Sequence, residues 1–221
     1  KRVLPGRAVV DLAGETVEAH LRGGLKKGPR DVVHLLAVGD RVRLRGSEGA
    51  LMLVDEVLPR RNELARIDVG DKRGRRKQVL AANLDQICVV VSLDKPSFNP
   101  RGVDRFLVLA ASAGVPALLV LNKCDLRSGA AGETPSSEEI LELYRGLGYQ
   151  AIGTSVPTGE GLEDLRASLS GRLSFLLGPS GAGKSTLLNI IYGLDLRTTA
   201  ISSATSKGVH TTTRVDWIDL P

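Results

Sequence analysis

The chain has 221 residues, of which 42% are hydrophobic and 25% are charged, with a formal net charge of +5. This balance is typical of a globular protein, and the length suffices for one large or two ordinary domains. No run of about 18 apolar residues exists, which excludes a transmembrane helix, and the N-terminus lacks the apolar stretch of a secretory signal. Cys88 and Cys124 are too few for a disulfide framework or a zinc site within this chain, and we interpret them as small buried residues of a reducing cytosol.

The first 69 residues are predicted to form an all-β domain. Candidate strands are short, rich in Val and Leu and separated by glycines; they occupy residues 6–12, 16–21, 41–45 and 51–58. Short strands at this spacing favour a small barrel or sandwich, and an OB-fold barrel fits the size and charge. Residues 1–69 therefore form the first predicted domain.

The positive charge is concentrated in the N-terminal part. Residues 1–85 contain 18 Lys and Arg against 12 Asp and Glu, whereas residues 86–221 contain 12 against 13. This asymmetry predicts a polyanion-binding module attached to a near-neutral one, and we favour RNA as the polyanion, although an ordinary basic surface is the alternative. Residues 1–69 contain no Phe, Tyr or Trp, so we expect contacts to phosphates rather than base stacking. A basic linker is predicted over 70–84, and its run 72–77 fits RNA contact and a solvated loop equally well.

Residues 85–221 are predicted to form an α/β domain. The apolar run at 86–93 is typical of a strand buried on both faces. Ser136 and Glu139 form a capping-box pattern for a helix that ends near residue 146. The other predicted strands are 117–121, 150–154 and 173–177, and the other predicted helices are 103–113, 161–169 and 183–192. Their alternation predicts a parallel sheet with helices on both faces.

A phosphate-binding P-loop is the strongest motif. The pattern GxxxxGK[ST] is matched by Gly178, Pro179, Ser180, Gly181, Ala182, Gly183, Lys184 and Ser185. The motif follows a predicted strand and opens a predicted helix, where backbone N–H groups and the helix dipole would hold phosphates. We predict Lys184 at the β- and γ-phosphates and Ser185 on Mg²⁺, and we include Thr186 in the nucleotide site.

A guanine-reading motif precedes the P-loop. The pattern NKxD is matched by Asn122, Lys123, Cys124 and Asp125 at the end of a predicted parallel strand, where α/β sheets bind ligands. Asp125 could accept hydrogen bonds from guanine N1–H and the exocyclic amine, while Asn122 would tether neighbouring loops and the base edge and Lys123 would cover the base. A plain polar turn is the alternative. We also assign to the nucleotide Leu126, Thr154, Ser155 and Val156.

A switch is predicted downstream of the P-loop helix, in residues 207–213. Thr212 could complete the Mg²⁺ shell and sense the γ-phosphate, and His210 could orient the attacking water. A threonine-rich strand start and a surface histidine are the alternatives. Asp219 resembles the start of DxxG but lies only seven residues after Thr212. We therefore predict a strand at 214–220 and expect the true DxxG, with central strands of the sheet, beyond residue 221.

The order of the two motifs is unusual, because ordinary GTPases carry the P-loop first and NKxD later. The reversed order predicts a circularly permuted GTPase. With this order, the sequence resembles the bacterial RsgA/YjeQ-type GTPases that depend on the small ribosomal subunit. The resemblance rests on residues 59–62, 85–86, 104–107, 122–125, 158–161, 178–186 and 208–213.

The resemblance implies an OB-fold barrel, a permuted GTPase domain and a C-terminal zinc domain whose ligands are not in this chain. It implies GTP or GDP and Mg²⁺ as cofactors, with zinc only in that further domain. The family lacks the usual catalytic glutamine after DxxG, which strengthens His210 as a catalytic candidate beside Lys184 and Thr212. The implied role is late maturation of the small ribosomal subunit, by a cytoplasmic monomer that binds rRNA and no membrane. The alternatives are an RNA-binding P-loop assembly factor with weak or vestigial hydrolysis and an ATP-using P-loop protein.

Overall fold

The computed structural model describes residues 1–4, 6–22, 36–46, 52–67, 77–126, 135–196 and 217–220. The described residues fall into two compact units. The first contains those from Lys1 to Leu84 together with 217–219, and the second contains those from Asp85 to 196 together with Leu220. Among the described residues, no helix is both long enough and apolar enough to cross a membrane.

The first unit is built on a five-stranded sheet with the order β1-β2-β3-β5-β4. The strands are β1 (Arg2–Leu4), β2 (Arg7–Leu12), β3 (Glu15–Leu21), β4 (Val42–Arg45) and β5 (Met52–Val57). β3 and β5 pair in parallel, and the other neighbouring strands pair antiparallel. This is the strand order of the predicted OB-fold. The sequence predicted β2 to β5 within one residue at each end and missed β1, which has only three residues.

The core of this sheet is small and aliphatic. Its buried residues are Ala19, Leu36 and Val54, against which pack the partly buried side chains of Val3, Val10, Leu21, Val42, Leu44, Met52 and Val57. Alternate residues of β4 point outward and are charged, because successive side chains of a strand face opposite sides. The exposed side of β4 is therefore arginine-rich, as Arg43 and Arg45 show.

A hairpin follows the five-stranded sheet. β6 (Glu63–Ile67) pairs antiparallel with β7 (Lys77–Ala82). β7 lies inside the stretch for which the sequence predicted a linker, so that prediction was wrong for residues 77–82. The first residues of β7 are polar, so the sequence pattern did not indicate a strand. The second half of β7 is buried, and Ala81 forms an isolated β-bridge with Val38.

The second unit contains a four-stranded parallel sheet with the order β10-β9-β8-β11. Its strands are β8 (Gln86–Ser92), β9 (Ala117–Asn122), β10 (Gln150–Thr154) and β11 (Ser174–Leu177). All seven residues of β8 are buried, which confirms the prediction of a strand covered on both faces. The predicted strand bounds agree with the structure within one residue at each end.

Among the described residues, three helices connect these strands, and a fourth follows β11: α1 (Pro100–Ser112), α2 (Ser137–Gly146) and α3 (Leu162–Leu169) are the connections, and α4 (Lys184–Tyr192) is the last helix. The predicted capping box of α2 is present, because Ser136 accepts a hydrogen bond from the Glu139 backbone and Glu139 accepts one from the Ser136 backbone. α1 begins three residues earlier than predicted, since Asn99 caps it and Pro100 suits the first helical position. Of the predicted strand at 214–220, the structure describes only 217–220, which form no strand.

Candidate functional site

The carboxyl ends of the four parallel strands bring the sequence motifs to one edge of the sheet. β9 ends at Asn122, β10 ends at Thr154, and β11 leads into the P-loop. Strand register aligns Ser92, Asn122 and Thr154 across three neighbouring strands, and each of them is at most 2% exposed. Three buried polar side chains in a row, at the edge where parallel sheets bind ligands, mark a site rather than a core.

The P-loop is packed tightly against this edge. Gly178 has φ +148°, and a Cβ atom at this position would lie 1.9 Å from the Val90 carbonyl oxygen. Gly183 has φ +95°, and a Cβ atom there would lie 2.2 Å from Nδ2 of Asn122. Both positions therefore require glycine, one for its approach to β8 and the other for its approach to the NKxD loop.

The Lys184 ammonium group lies folded into the P-loop. Its Nζ donates to the carbonyl oxygens of Gly178 at 2.9 Å and Pro179 at 2.8 Å. Burial lowers the pKa of Lys184, because a desolvated environment penalises the charged form. The next two residues, Ser185 and Thr186, lie in the first turn of α4, where backbone N–H groups have no partner within the helix. The N-terminus of α4 thus offers positive charge beside the loop.

Asn122 connects three segments of the site. Its Nδ2 donates to the carbonyl oxygen of Ala182 in the P-loop at 2.9 Å. Its Oδ1 accepts a hydrogen bond of 3.0 Å from the Thr154 hydroxyl. One amide therefore links the P-loop, the end of β9 and the end of β10, while the predicted contact of Asn122 with a base edge stays a prediction.

Lys123 spans from the NKxD loop to the P-loop. The residue has φ +62°, a conformation that costs free energy for a non-glycine residue and is concentrated at functional sites. Its Nζ donates to the carbonyl oxygen of Gly181 at 2.9 Å and also to that of Lys95. The ammonium group of Lys123 is therefore held between the P-loop and the turn that follows β8.

Asp125 is oriented by the loop after β10. Its Oδ1 accepts a hydrogen bond of 2.7 Å from the Ser155 hydroxyl. Ser155 is fully buried, and its backbone N–H donates to the Glu160 carbonyl oxygen at 3.0 Å. Leu126 closes the NKxD turn, since its N–H donates to the Lys123 carbonyl oxygen at 3.0 Å, while Val156 is half-buried. The Ser155 hydroxyl thus connects the loop after β10 to the Asp125 carboxylate of the NKxD turn.

The cysteine thiols take no part in this network. Burial raises the pKa of Cys88 to about 12. Burial also raises the pKa of Cys124, whose Sγ lies 3.1 Å from the Leu121 carbonyl oxygen. Both thiols are free and protonated at neutral pH, which makes them poor nucleophiles and poor metal ligands.

One element of the site was missed from the sequence: the turn after β8, whose Lys95 carbonyl oxygen receives the Lys123 ammonium group. The signal that could have found it was a polar segment, Asp94 to Pro96, directly after a fully buried parallel strand. Two predicted catalytic residues, His210 and Thr212, lie outside the described residues.

A cavity of about 670 Å³ lies at the opposite edge of the sheet, near the amino ends of the strands. Asp85, Ala117, Gln150 and Arg172 are among its lining residues. None of the described residues assigned to the nucleotide lines it, so the cavity is not the site predicted from the motifs.

The sequence matches a known protein family and several curated relatives. A family model described as "RsgA GTPase" matches residues 57–221. A "Small ribosomal subunit biogenesis GTPase RsgA" of Chlorobaculum parvum is 44% identical over 85% of this chain and 61% of its own length. The protein of that name from Gemmatimonas aurantiaca is 43% identical over 90% of this chain and 63% of its own length.

Solved structures show the same likeness. YjeQ from Thermotoga maritima matches with a TM-score of 0.67 and 34% identity, over 87% of this chain and 63% of that one. YloQ, titled a circularly permuted GTPase, matches with a TM-score of 0.63 and 27% identity, over 85% of this chain and 61% of that one. The chain spans about three fifths of the length of the two curated RsgA relatives from Chlorobaculum parvum and Gemmatimonas aurantiaca. The match of the family model to most of the sequence shows that the chain belongs to the RsgA GTPase family.

Proposed function

We propose that the carboxyl edge of the parallel sheet binds GTP and that the protein hydrolyses it during biogenesis of the small ribosomal subunit. The observation that carries this proposal is the position of Asn122, which joins the phosphate loop at Ala182 to the strand end at Thr154. Such a link lets one bound nucleotide contact a base-reading loop and a phosphate-binding loop that are distant in sequence.

Guanine recognition is assigned to Asp125. Its carboxylate would accept hydrogen bonds from guanine N1–H and the exocyclic amine, and adenine offers neither donor there. Ser155 supports this role, because its hydroxyl fixes one carboxylate oxygen. The stem of Lys123 would cover the base, and a backbone N–H of the loop at Ser155 and Val156 would meet guanine O6. These contacts favour GTP over ATP and argue against an ATP-using P-loop protein.

Phosphate binding is assigned to the P-loop and Lys184. The carbonyl oxygens that now accept from the Lys184 ammonium are weak substitutes for phosphate oxygens, so a bound nucleotide would draw the ammonium toward its β- and γ-phosphates. The residues present also fit Mg²⁺, since the Ser185 hydroxyl lies at the start of α4, beside a loop with no room for a Cβ atom at Gly178 or Gly183. Ser185 and Thr212 would hold the ion, which supplies charge neutralisation at the phosphates.

Hydrolysis is assigned to the predicted switch. Thr212 would sense the γ-phosphate, and His210 would orient the attacking water. This assignment follows from position in the sequence and from the family to which the chain belongs. We expect His210→Ala to lower kcat for GTP by at least about tenfold with little change in GDP affinity, the range expected for loss of a general-base or positioning group. Equal losses in kcat and in GDP affinity would instead make His210 a structural residue.

Binding to rRNA is assigned to the five-stranded sheet, because the relatives are named for small-subunit biogenesis and the N-terminal part of the chain is basic. Arg43 pairs with Glu56 at 2.6 Å, and Arg45 pairs with Asp55 at 3.6 Å. Both arginines are largely exposed, so these pairs are weak and can exchange a carboxylate for a phosphate.

The nucleotide state is proposed to control docking on the ribosome and release from it. We assign this function to a monomer in the bacterial cytoplasm, and any zinc would belong to a further domain. The alternative is an RNA-binding assembly factor with weak or vestigial hydrolysis. The two differ in whether activity in subunit maturation requires an intact Lys184.

The deciding experiment is GTP hydrolysis by the full-length protein with and without purified small ribosomal subunits. We expect strong stimulation by the subunits, its loss in Lys184→Ala, and its retention in Arg145→Ala. Arg145 is the control because its guanidinium pairs with Glu138 and donates to the carbonyl oxygen of Ala151, near the amino end of β10 and away from the carboxyl edge of the sheet. Equal rates with and without subunits, or a Lys184→Ala variant that still supports subunit maturation, would favour the alternative.

A further inference from the structure

The turn after β8 is stabilised by hydrogen bonds between its own residues. The Phe98 N–H donates to the Leu93 carbonyl oxygen at 3.1 Å. Within the turn, one oxygen of the Asp94 carboxylate accepts from the Lys95 N–H at 2.8 Å and from the Ser97 hydroxyl at 3.3 Å. The turn lies at the end of the strand between β9 and β11, and therefore between the NKxD loop and the P-loop.

Ser92 attaches this turn to the sheet. Its side chain is buried, with 1% exposure, and its hydroxyl lies within hydrogen-bond reach of the Asp94 carbonyl oxygen and 2.9 Å from that of Pro96. Ser92 also pairs in register with Asn122, the residue that tethers the P-loop. A buried hydroxyl between two turn carbonyls fixes the path of the turn, because an unsatisfied carbonyl in this position would be costly.

The turn after β8 also positions the side chain of Lys123. The Lys95 carbonyl oxygen and the Gly181 carbonyl oxygen both accept from the Lys123 ammonium group. Lys95 itself has φ +53°, a conformation that a non-glycine residue adopts only when its surroundings hold it there. The position of the Lys123 ammonium group thus depends on the P-loop on one side and on the turn after β8 on the other.

We propose that Ser92 is a positioning residue of the guanine pocket, which acts by holding the turn whose Lys95 carbonyl orients Lys123. The proposal rests on the nucleotide site described under the proposed function. Ser92 itself touches neither base nor phosphate in this scheme. Its effect on the nucleotide is transmitted through Lys123, and this dependence makes it testable.

The test is a double-mutant cycle on the dissociation rate of a fluorescent GDP analogue, measured in the full-length protein. We expect Ser92→Ala to speed dissociation about fivefold, the range for loss of one hydrogen bond. In a Lys123→Met background the same change should have almost no further effect, because the side chain through which Ser92 acts is gone. Ser174→Ala is the matched control: it removes a half-buried serine hydroxyl at the amino end of β11 and should leave dissociation unchanged.

Each outcome of the cycle either supports or overturns the proposed role of Ser92. A wild-type rate in Ser92→Ala, or the same acceleration in both backgrounds, overturns the proposal and leaves the nucleotide site intact. A Lys123→Met variant that releases GDP at the wild-type rate overturns the proposed pocket itself. If Ser92→Ala does not fold, Asp94→Ala loosens the same turn from its exposed side and carries the same expectations.

Discussion

The two units use polar side chains in opposite ways. At the carboxyl edge of the parallel sheet, Asn122 and Thr154 are 2% and 0% exposed and bond to each other or to backbone carbonyls. On the five-stranded sheet, the Arg43–Glu56 pair is exposed at 66% and 49%. A buried amide linking loops is specific and costly to remove, whereas an exposed ion pair is screened by water and salt. The first arrangement builds a shaped site, and the second builds a charged surface.

An exception within the first unit sharpens this contrast. The side chain of Asp40 is only 1% exposed, and its carboxylate forms a bidentate ion pair with Arg60. The Arg60 Nε donates to Oδ1 at 2.7 Å, and Nη2 donates to Oδ2 at 2.8 Å. Asp40 also accepts a hydrogen bond of 2.8 Å from the Ala37 N–H, and Arg60 reaches Glu63. These partners raise the pKa of the Arg60 guanidinium above its ordinary value. The buried Asp40 carboxylate is thus satisfied by its partners, so the cost of desolvating it is offset, and none of the described residues assigned to the nucleotide takes part.

The largest effect is expected at the P-loop. Gly178→Ala would place a Cβ atom against the Val90 carbonyl oxygen in a backbone conformation that alanine rarely adopts. We expect GDP affinity to fall by at least about 100-fold, since the cost of strain and overpacking together reaches several kcal/mol. Calorimetric titration with GDP measures it. Gly146→Ala at the end of α2, where a Cβ atom meets nothing within 4 Å, is the control and should bind normally.

The next effect belongs to the first unit. Asp40→Ala leaves the largely buried Arg60 without its main partner and should lower the free energy of unfolding by about 2–3 kcal/mol. Glu56→Ala, which removes an exposed carboxylate, should change it by less than about 0.5 kcal/mol. Urea denaturation of the two variants provides the comparison, and equal losses would show that burial does not distinguish the two pairs.

A matched pair of asparagines tests the contrast between the units. Asn62 donates to the Leu84 carbonyl oxygen and accepts from the Leu84 N–H, both at 2.9 Å, in the first unit. Asn122→Ala should weaken GDP binding about tenfold or more, whereas Asn62→Ala should lower stability and leave GDP affinity near the wild-type value. Dissociation constants measured beside melting temperatures separate the two effects. Loss of GDP binding in both variants would mean that the nucleotide site is not confined to the parallel sheet.

The smallest effect is expected on the exposed face of β4. Arg43→Ala should leave unfolding free energy within about 0.5 kcal/mol of the wild type. If this face contacts rRNA, the same change should weaken binding to the small subunit and reduce the slope of affinity against salt concentration by about one. Filter binding over a series of salt concentrations measures this slope, and an unchanged slope would exclude Arg43 from the interface.

Much of the parallel-sheet unit could be predicted from the sequence, because its signals are local. The run at 86–93 is apolar throughout since β8 is buried on both faces. Ser136 and Glu139 lie three residues apart because a capping box needs that spacing. The hairpin of β6 and β7 was less visible, since Lys77 and Gln78 are polar and the partner strand is ten or more residues away. Strand pairing across such a separation depends on which backbone segments the fold brings side by side, and no local residue pattern indicates it.

The amino-acid sequence alone specified the chemical groups of the site: a glycine-rich loop with Lys184 and Ser185, an Asn-Lys-x-Asp segment, and their reversed order. It determined them because these motifs depend on residue type and local spacing. Which of these groups come into contact depends on how the chain folds. The contact of Asn122 with Ala182 joins residues 60 positions apart, and Lys123 finds the carbonyl oxygen of Lys95 28 positions away. Carbonyl oxygens occur in every residue, so no sequence pattern marks the one that a folded sheet brings within hydrogen-bond distance.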